Sequence, residues 1–163
     1  MGVRRSSFEV LGVQVDALEL SEACRTVSEW IAHRDGCRYV ALTGMHGIME
    51  AQHDPAFKRI LGAADLVVPD GMPLVWLSRF RGRPLKRRVY GPDLLLEVCG
   101  QTASRGCRHF LFGGAPGVAE RLATILKRRF PGLVFAGTCS PPFEPWTEAQ
   151  EEEFVATINR AAP

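Results

Sequence analysis

The chain has 163 residues, 46% hydrophobic and 23% charged, with a net charge of +2. That length suits one domain with a sizeable core, and no run approaches the ~20 apolar residues of a membrane span. The opening MGVRRSSFEV carries arginines without the apolar segment of a signal peptide behind them, so a soluble, cytoplasmic protein is expected. The five cysteines (Cys24, Cys37, Cys99, Cys107 and Cys139) are odd in number and form no CxxC pair. A disulfide framework or a zinc site is therefore not expected, and the thiols read as small buried hydrophobes.

In chain order, FEVLGVQVDAL reads as one or two short strands broken at Gly12. Ser21 is placed to cap a helix over SEACRTVSEWIAHR, with Ala23, Val27, Trp30 and Ile31 at helical spacing. RYVALTG is a strand whose near-continuous apolar run suits a sheet covered on both faces. HGIMEAQ looks helical. In DPAFKRILGAA, Asp54 caps, Pro55 occupies the first turn and Gly62 closes. DLVVP is the next strand, and GMPLVWLSRF a helix with Pro73 in its first turn. After a basic loop, GPDLLLEVCGQTASRG is a helix ending at Gly106. CRHFLFGG, PGVAERLATILKRRF and LVFAGT then read as strand, helix and strand, and a last helix over TEAQEEEFVATINRAA is capped by Thr147. This alternation predicts an α/β fold, Rossmann-like and layered, with a mainly parallel sheet flanked by helices.

The modest net charge is unevenly placed. RFRGRPLKRR, Arg79 to Arg88, carries six positive charges, and EPWTEAQEEEF carries five acids. The basic run suits phosphates or an anionic membrane surface, or is a solvated loop; Phe80 and Leu85 among its charges suit an interface. The acidic run is expected at the exposed start of a helix.

In open α/β sheets, ligands gather beyond the carboxyl ends of the strands. Four such ends are legible: LTGMHG, VVPDG, LFGGAPG and AGTCSPPF. Asp70, in VVPDG, has two readings. It caps the helix that starts near Gly71, which spacing alone favours, or it is a carboxylate able to take a proton from a bound hydroxyl. Thr43 either orients a substrate or satisfies a local backbone group. His46 and His53 stand too far apart to suggest a metal site. Arg88 can neutralise a diphosphate by a forked contact or lie in solvent; Asp93 can pair with Arg88 or stabilise a helix start. Gly113 and Gly114 permit a close backbone approach to phosphate, although the turn matches neither GxGxxG nor a Walker motif, and a plain tight turn reads equally well.

Together these segments resemble the WecG/TagA/CpsF family of bacterial glycosyltransferases, also called glycosyltransferase family 26. The likeness runs through VLGVQVDALELSEA, then DPAFKRILGAADLVVPDGMPLVW with the family's Asp-Gly signature. It continues through RRVYGPDLL with its Arg-hydrophobic-x-Gly-x-Asp signature, and FLFGGAPGVAERLATILKRRFPGLVFAGTCSPPF with its Gly-Gly-x-Pro-Gly segment. The resemblance implies inverting, metal-independent transfer of a sugar, of N-acetylmannosamine type or a related hexose. The donor is a UDP-sugar and the acceptor a polyprenyl-diphosphate-linked sugar, in cell-surface polysaccharide synthesis.

It implies Asp70 as general base, with Gly71 beside it, and Thr43 at the second strand end. It also implies Arg88, in the Arg-x-x-Gly-x-Asp block with Asp93, near the diphosphate, and Gly113, Gly114 and Gly117 lining the nucleotide site. No cofactor and no nucleic acid are expected; peripheral contact with the inner face of the cytoplasmic membrane and a homo-oligomer fit the same picture. Two departures stand out. Where the family reads Thr-x-Asn, this chain reads TGMHG, leaving His46 as the nearest polar side chain. Family chains also continue past NRAAP with a further strand and a basic tail, so residues 1–163 are expected to be a single glycosyltransferase domain without that strand and tail. The rival expectation is a nucleotide-binding remnant with no catalysis of its own.

Overall fold

The computed structural model describes residues 6–33, 36–143 and 145–163. Arg4, Arg5, Arg34 and Glu144, which enter the charge and helix readings above, lie outside the described residues. The chain forms two compact units, the first ending at Val98 and the second beginning at Cys99.

The first unit opens with a hairpin of β1 (Ser7–Val10) and β2 (Val13–Asp16), paired antiparallel. Its two-residue turn holds Leu11 at φ 50° and Gly12 at φ 78°, the doubly positive geometry that matches the twist of the flanking strands. Strict alternation follows: Phe8, Val10, Val13 and Val15 are buried, while Glu9 and Gln14 face solvent. Helix α1 (Leu20–His33) begins before Ser21, and the expected serine cap is absent. The Glu22 carboxylate accepts from the Glu19 N–H at 3.0 Å instead, which places an acid at the positive end of the helix dipole.

Strands β3 (Val40–Thr43) and β4 (Leu66–Pro69) pair in parallel, with Thr43 opposite Pro69. Between them run α2 (Met45–His53) and α3 (Pro55–Ala63). Asp54 caps α3 as expected, accepting from the N–H groups of Ala56 and Phe57 at 2.8 and 3.0 Å. Gly62 does not close that helix but lies within it.

The strand covered on both faces is β4, not β3. All four β4 residues are buried, whereas Leu42 in β3 is 41% exposed. On the flank of β4 away from β3, the Val67 N–H donates to Asp16 Oδ2 at 2.8 Å, so β4 is the interior strand. Its period-two alternation builds two cores. Val67 packs with the hairpin, Ile48, Leu61, Leu74, Val75 and Leu85; Leu66 and Val68 pack with Leu18, Ala23, Cys24, Val89 and Leu94. Helices α4 (Met72–Phe80) and α5 (Gly91–Thr102) follow.

In the second unit, β5 (Arg108–Phe112) and β6 (Val134–Cys139) pair in parallel, joined through α6 (Val118–Arg129). Gly137 is required here, because a Cβ would approach the Phe110 ring to 2.7 Å. Helix α7 (Glu148–Ala161) starts with a reciprocal Thr147–Gln150 capping box, and Phe154 joins Phe112 and Trp146 in a cluster of edge-to-face rings.

Parallel strands flanked by helices, in a Rossmann-like layout, are therefore what the sequence predicts and what is observed; the strands pair as one antiparallel and two parallel couples. Among the described residues no helix is long and apolar enough to cross a membrane. Cys24 and Cys99 are buried, and burial pushes both thiols above their ordinary pKa of 9.0. Cys37 departs from expectation in being exposed, and Cys107 and Cys139 are half-buried.

Candidate active site

In the first unit, the carboxyl ends of β3 and β4 are locked side by side. The Asp70 N–H donates to the Thr43 carbonyl at 2.8 Å, continuing the ladder one residue past the strands. Each strand then turns into a helix through a glycine: Gly44 is the N-cap of α2 and Gly71 the N-cap of α4. The two turns touch backbone to backbone. A Cβ on Gly44 would stand 3.2 Å from the Asp70 carbonyl oxygen, and one on Gly71 would stand 3.5 Å from the Gly44 Cα. Neither N-cap supplies a side-chain hydrogen bond, so two helix N-termini open side by side at this edge.

Asp70 does not cap. The cap position falls to Gly71, and among the described residues the Asp70 carboxylate makes no hydrogen bond and no ion pair. The side chain is half-buried and lies against the first residue of α5: a Cβ on Gly91 would come within 3.7 Å of Asp70 Oδ2 and 3.4 Å of Leu42 Cδ2. A carboxylate without internal partners keeps all its acceptor sites for water or a ligand.

Thr43 makes a local contact at the end of β3. It is buried, and its hydroxyl donates to the Gly44 carbonyl at 3.3 Å. Its Oγ1 also fills the space that a Cβ on Gly47 would need. His46 is exposed in the first turn of α2.

The segment before α5 is pinned beside β4 by the Val89 N–H, which donates to the Pro69 carbonyl at 2.9 Å, with Val89 fully buried. This anchor fixes the neighbours on either side. The Arg88 guanidinium is stacked over the Tyr90 ring, 4.4 Å from its centroid, a contact that holds a planar cation while leaving its edge donors available. The Arg88–Asp93 ion pair envisaged from spacing does not form; Asp93 is exposed in the first turn of α5, where the dipole favours it.

Sequence reasoning missed Gly44, Gly47, Tyr90 and Gly91. The signals were there: two glycines within four residues of a strand end, an aromatic two residues from the arginine, and a glycine directly before Pro92.

In the second unit, the β5–α6 turn requires its glycines. Gly113, Gly114 and Gly117 adopt φ of 116°, 78° and 83°, values that side-chain-bearing residues rarely take. Gly117 is the left-handed N-cap of α6, again without a side-chain cap, and the turn is anchored by the Gly113 N–H, which donates to the Cys139 carbonyl at 2.8 Å.

A sequence profile of the Glycosyl transferase WecG/TagA/CpsF family matches residues 8–163. The chain belongs to this family. Among its curated relatives are three proteins named N-acetylglucosaminyldiphosphoundecaprenol N-acetyl-beta-D-mannosaminyltransferase. That of Bacillus spizizenii is 34% identical over 54% of this chain and 34% of its own length. That of Bacillus subtilis is 27% identical over 48% of this chain and 30% of its own. That of Staphylococcus aureus NCTC 8325 is 24% identical over 80% of this chain and 52% of its own. The chain thus spans about half, or less, of the length of the curated WecG/TagA/CpsF relatives it matches. The aspartate-glycine turn that carries the resemblance is Asp70–Gly71, whose carboxylate is uncommitted among the described residues.

Proposed function

We propose that the chain catalyses transfer of a hexosyl group, of N-acetylmannosamine type, from a UDP-sugar to a polyprenyl-diphosphate-linked sugar, in the synthesis of a cell-surface polysaccharide. The observation that carries this reading is the Asp70 carboxylate, set at the carboxyl end of β4 with no internal hydrogen bond or ion pair among the described residues. The names of the relatives support the same chemistry.

In the proposed reaction, Asp70 accepts the proton of the acceptor hydroxyl. The oxygen attacks the anomeric carbon from the face opposite the leaving group. One C–O bond forms as the bond to the diphosphate breaks, UDP leaves with the electron pair, and the configuration inverts. General-base help of this kind is worth about 10²–10⁴ in rate; alignment of the two substrates supplies much of the rest.

The leaving diphosphate needs positive charge. Arg88, held flat on Tyr90, is assigned to it; taken by itself, the second unit's Gly113–Gly117 turn is a candidate phosphate-binding turn. No metal takes part in this scheme. Thr43 acts as a positioning residue, through Gly44 and Gly47. His46 and Asp93, both exposed, are assigned to the hydroxyls of the sugars.

Calorimetry with UDP, followed by UDP release with a lipid-linked acceptor, tests the reading. Binding with acceptor-dependent release is expected. Binding without release in the presence of acceptor would instead mark a nucleotide-binding module.

A further inference from the structure

Helix α4, which begins two residues after Asp70, has two unlike faces. Leu74, Val75 and Ser78 are buried. On the opposite side Met72, Trp76 and Phe80 are 39%, 56% and 86% exposed. Residues four apart on a helix lie about 40° apart around its axis, so these three form one continuous apolar stripe, with Arg79 on the same side. Nothing among the described residues covers it.

The loop that follows is built rather than loose. The buried Ser78 hydroxyl donates to the Val75 carbonyl at 2.7 Å and accepts from the Leu85 N–H at 3.0 Å; the Arg83 N–H donates to the Ser78 carbonyl at 2.8 Å. Leu85 goes into the core, which removes it from any interface. Arg81, Arg83, Lys86 and Arg87 remain exposed, and no acid occurs between Gly71 and Pro92.

We infer that this face of α4, with the cations of its loop, docks on an anionic lipid bilayer. An aromatic stripe beside arginines, on a helix whose other side is anchored in the protein, suits the headgroup boundary. There Trp and Phe enter the acyl edge while guanidinium groups meet lipid phosphates. A second copy of the chain is disfavoured as the occupant, because a two-fold contact would bring the same cations against each other. With its nine residues rising about 1.5 Å each, α4 lying along the surface keeps Asp70 within about 15 Å of the lipid headgroups. Access to a membrane-held acceptor is a consequence that rests on the transferase reading; the docking itself does not.

Co-sedimentation of the full chain with phosphatidylglycerol-containing and with pure phosphatidylcholine vesicles, without any sugar nucleotide, tests the inference. Binding is expected only with the anionic lipid, and it weakens as salt rises. The double variant Trp76→Ser/Phe80→Ser should lose about tenfold or more of the vesicle partition, with the melting curve and UDP binding unchanged. Arg79→Ala/Arg81→Ala/Arg83→Ala should lower binding and flatten its salt dependence. Equal sedimentation of the Trp76→Ser/Phe80→Ser variant and the parent, or equal binding to both lipids, overturns the inference. So does a change in that variant's oligomeric state by light scattering without a change in partition, which would give the face to a second copy. Because no turnover is read, failure here leaves the role of Asp70 standing, and the reverse also holds.

Discussion

The Asp70 N–H is held by the Thr43 carbonyl at 2.8 Å, and the Thr43 side chain occupies the space beside Gly47 where a methyl group would fall. The position of Asp70 thus depends on a glycine in the helix that follows the neighbouring strand. Gly47→Ala should favour the helix by about 1 kcal/mol on propensity. The overlap falls on a short, buried, hydrogen-bonded side chain, however, so the net effect expected in urea unfolding is destabilisation by about 1–2 kcal/mol. Thr43→Ala/Gly47→Ala removes the clashing oxygen and should recover most of that loss, a non-additivity of about 1 kcal/mol. Additive single effects would count against the coupling.

Arg88 and Tyr90 should behave as one unit. Arg88→Ala is expected to weaken UDP binding about tenfold, in line with the loss of one charge-assisted contact. Arg88→Lys should rescue little, because lysine has neither the fork nor the flat face that lies on Tyr90. Tyr90→Phe keeps the ring and should leave binding near the parent value, while Tyr90→Ala should approach Arg88→Ala. Calorimetry reads all four.

Much of the local structure was legible in the sequence because local rules act on few residues. Asp54 before a proline, Thr147 three residues before Gln150, and the glycines after β5 each meet a backbone need that neighbours dictate. Other features were set by contacts distant in sequence. Spacing favoured a capping role for Asp70, yet Gly71 takes the cap because the backbone crosses there against Gly44. Leu85 sits among arginines and still enters the core, since a buried serine seven residues earlier draws its N–H inward. Leu42 is apolar and exposed because β3 is not the interior strand. Arg88 stacks on Tyr90 instead of pairing with Asp93, a choice made by the buried anchor at Val89.

His109 gives the second unit a pH dependence. Its ring is half-buried, pairs with the Thr102 hydroxyl at 2.9 Å and lies beside Phe135. Burial lowers its pKa below the ordinary 6.5. Between the depressed folded value and 6.5 the unfolded chain binds more protons, so the stabilisation is present above pH 6.5 and is lost as pH falls through that window. Thermal unfolding recorded from neutral to mildly acidic pH should show the midpoint falling. His109→Gln, which retains a partner for Thr102, should flatten the slope in that window. An unchanged slope in the variant would assign the dependence elsewhere.

The most direct measurement is the transfer rate of Asp70→Asn beside its affinity for UDP. The substitution keeps size and polarity but removes the proton acceptor, in a side chain that has no hydrogen-bond or ion-pair partner among the described residues. Turnover is expected to fall by about 10²–10⁴ while UDP binding stays at the parent value. A variant that transfers sugar at the parent rate would contradict the assignment of Asp70 as the base.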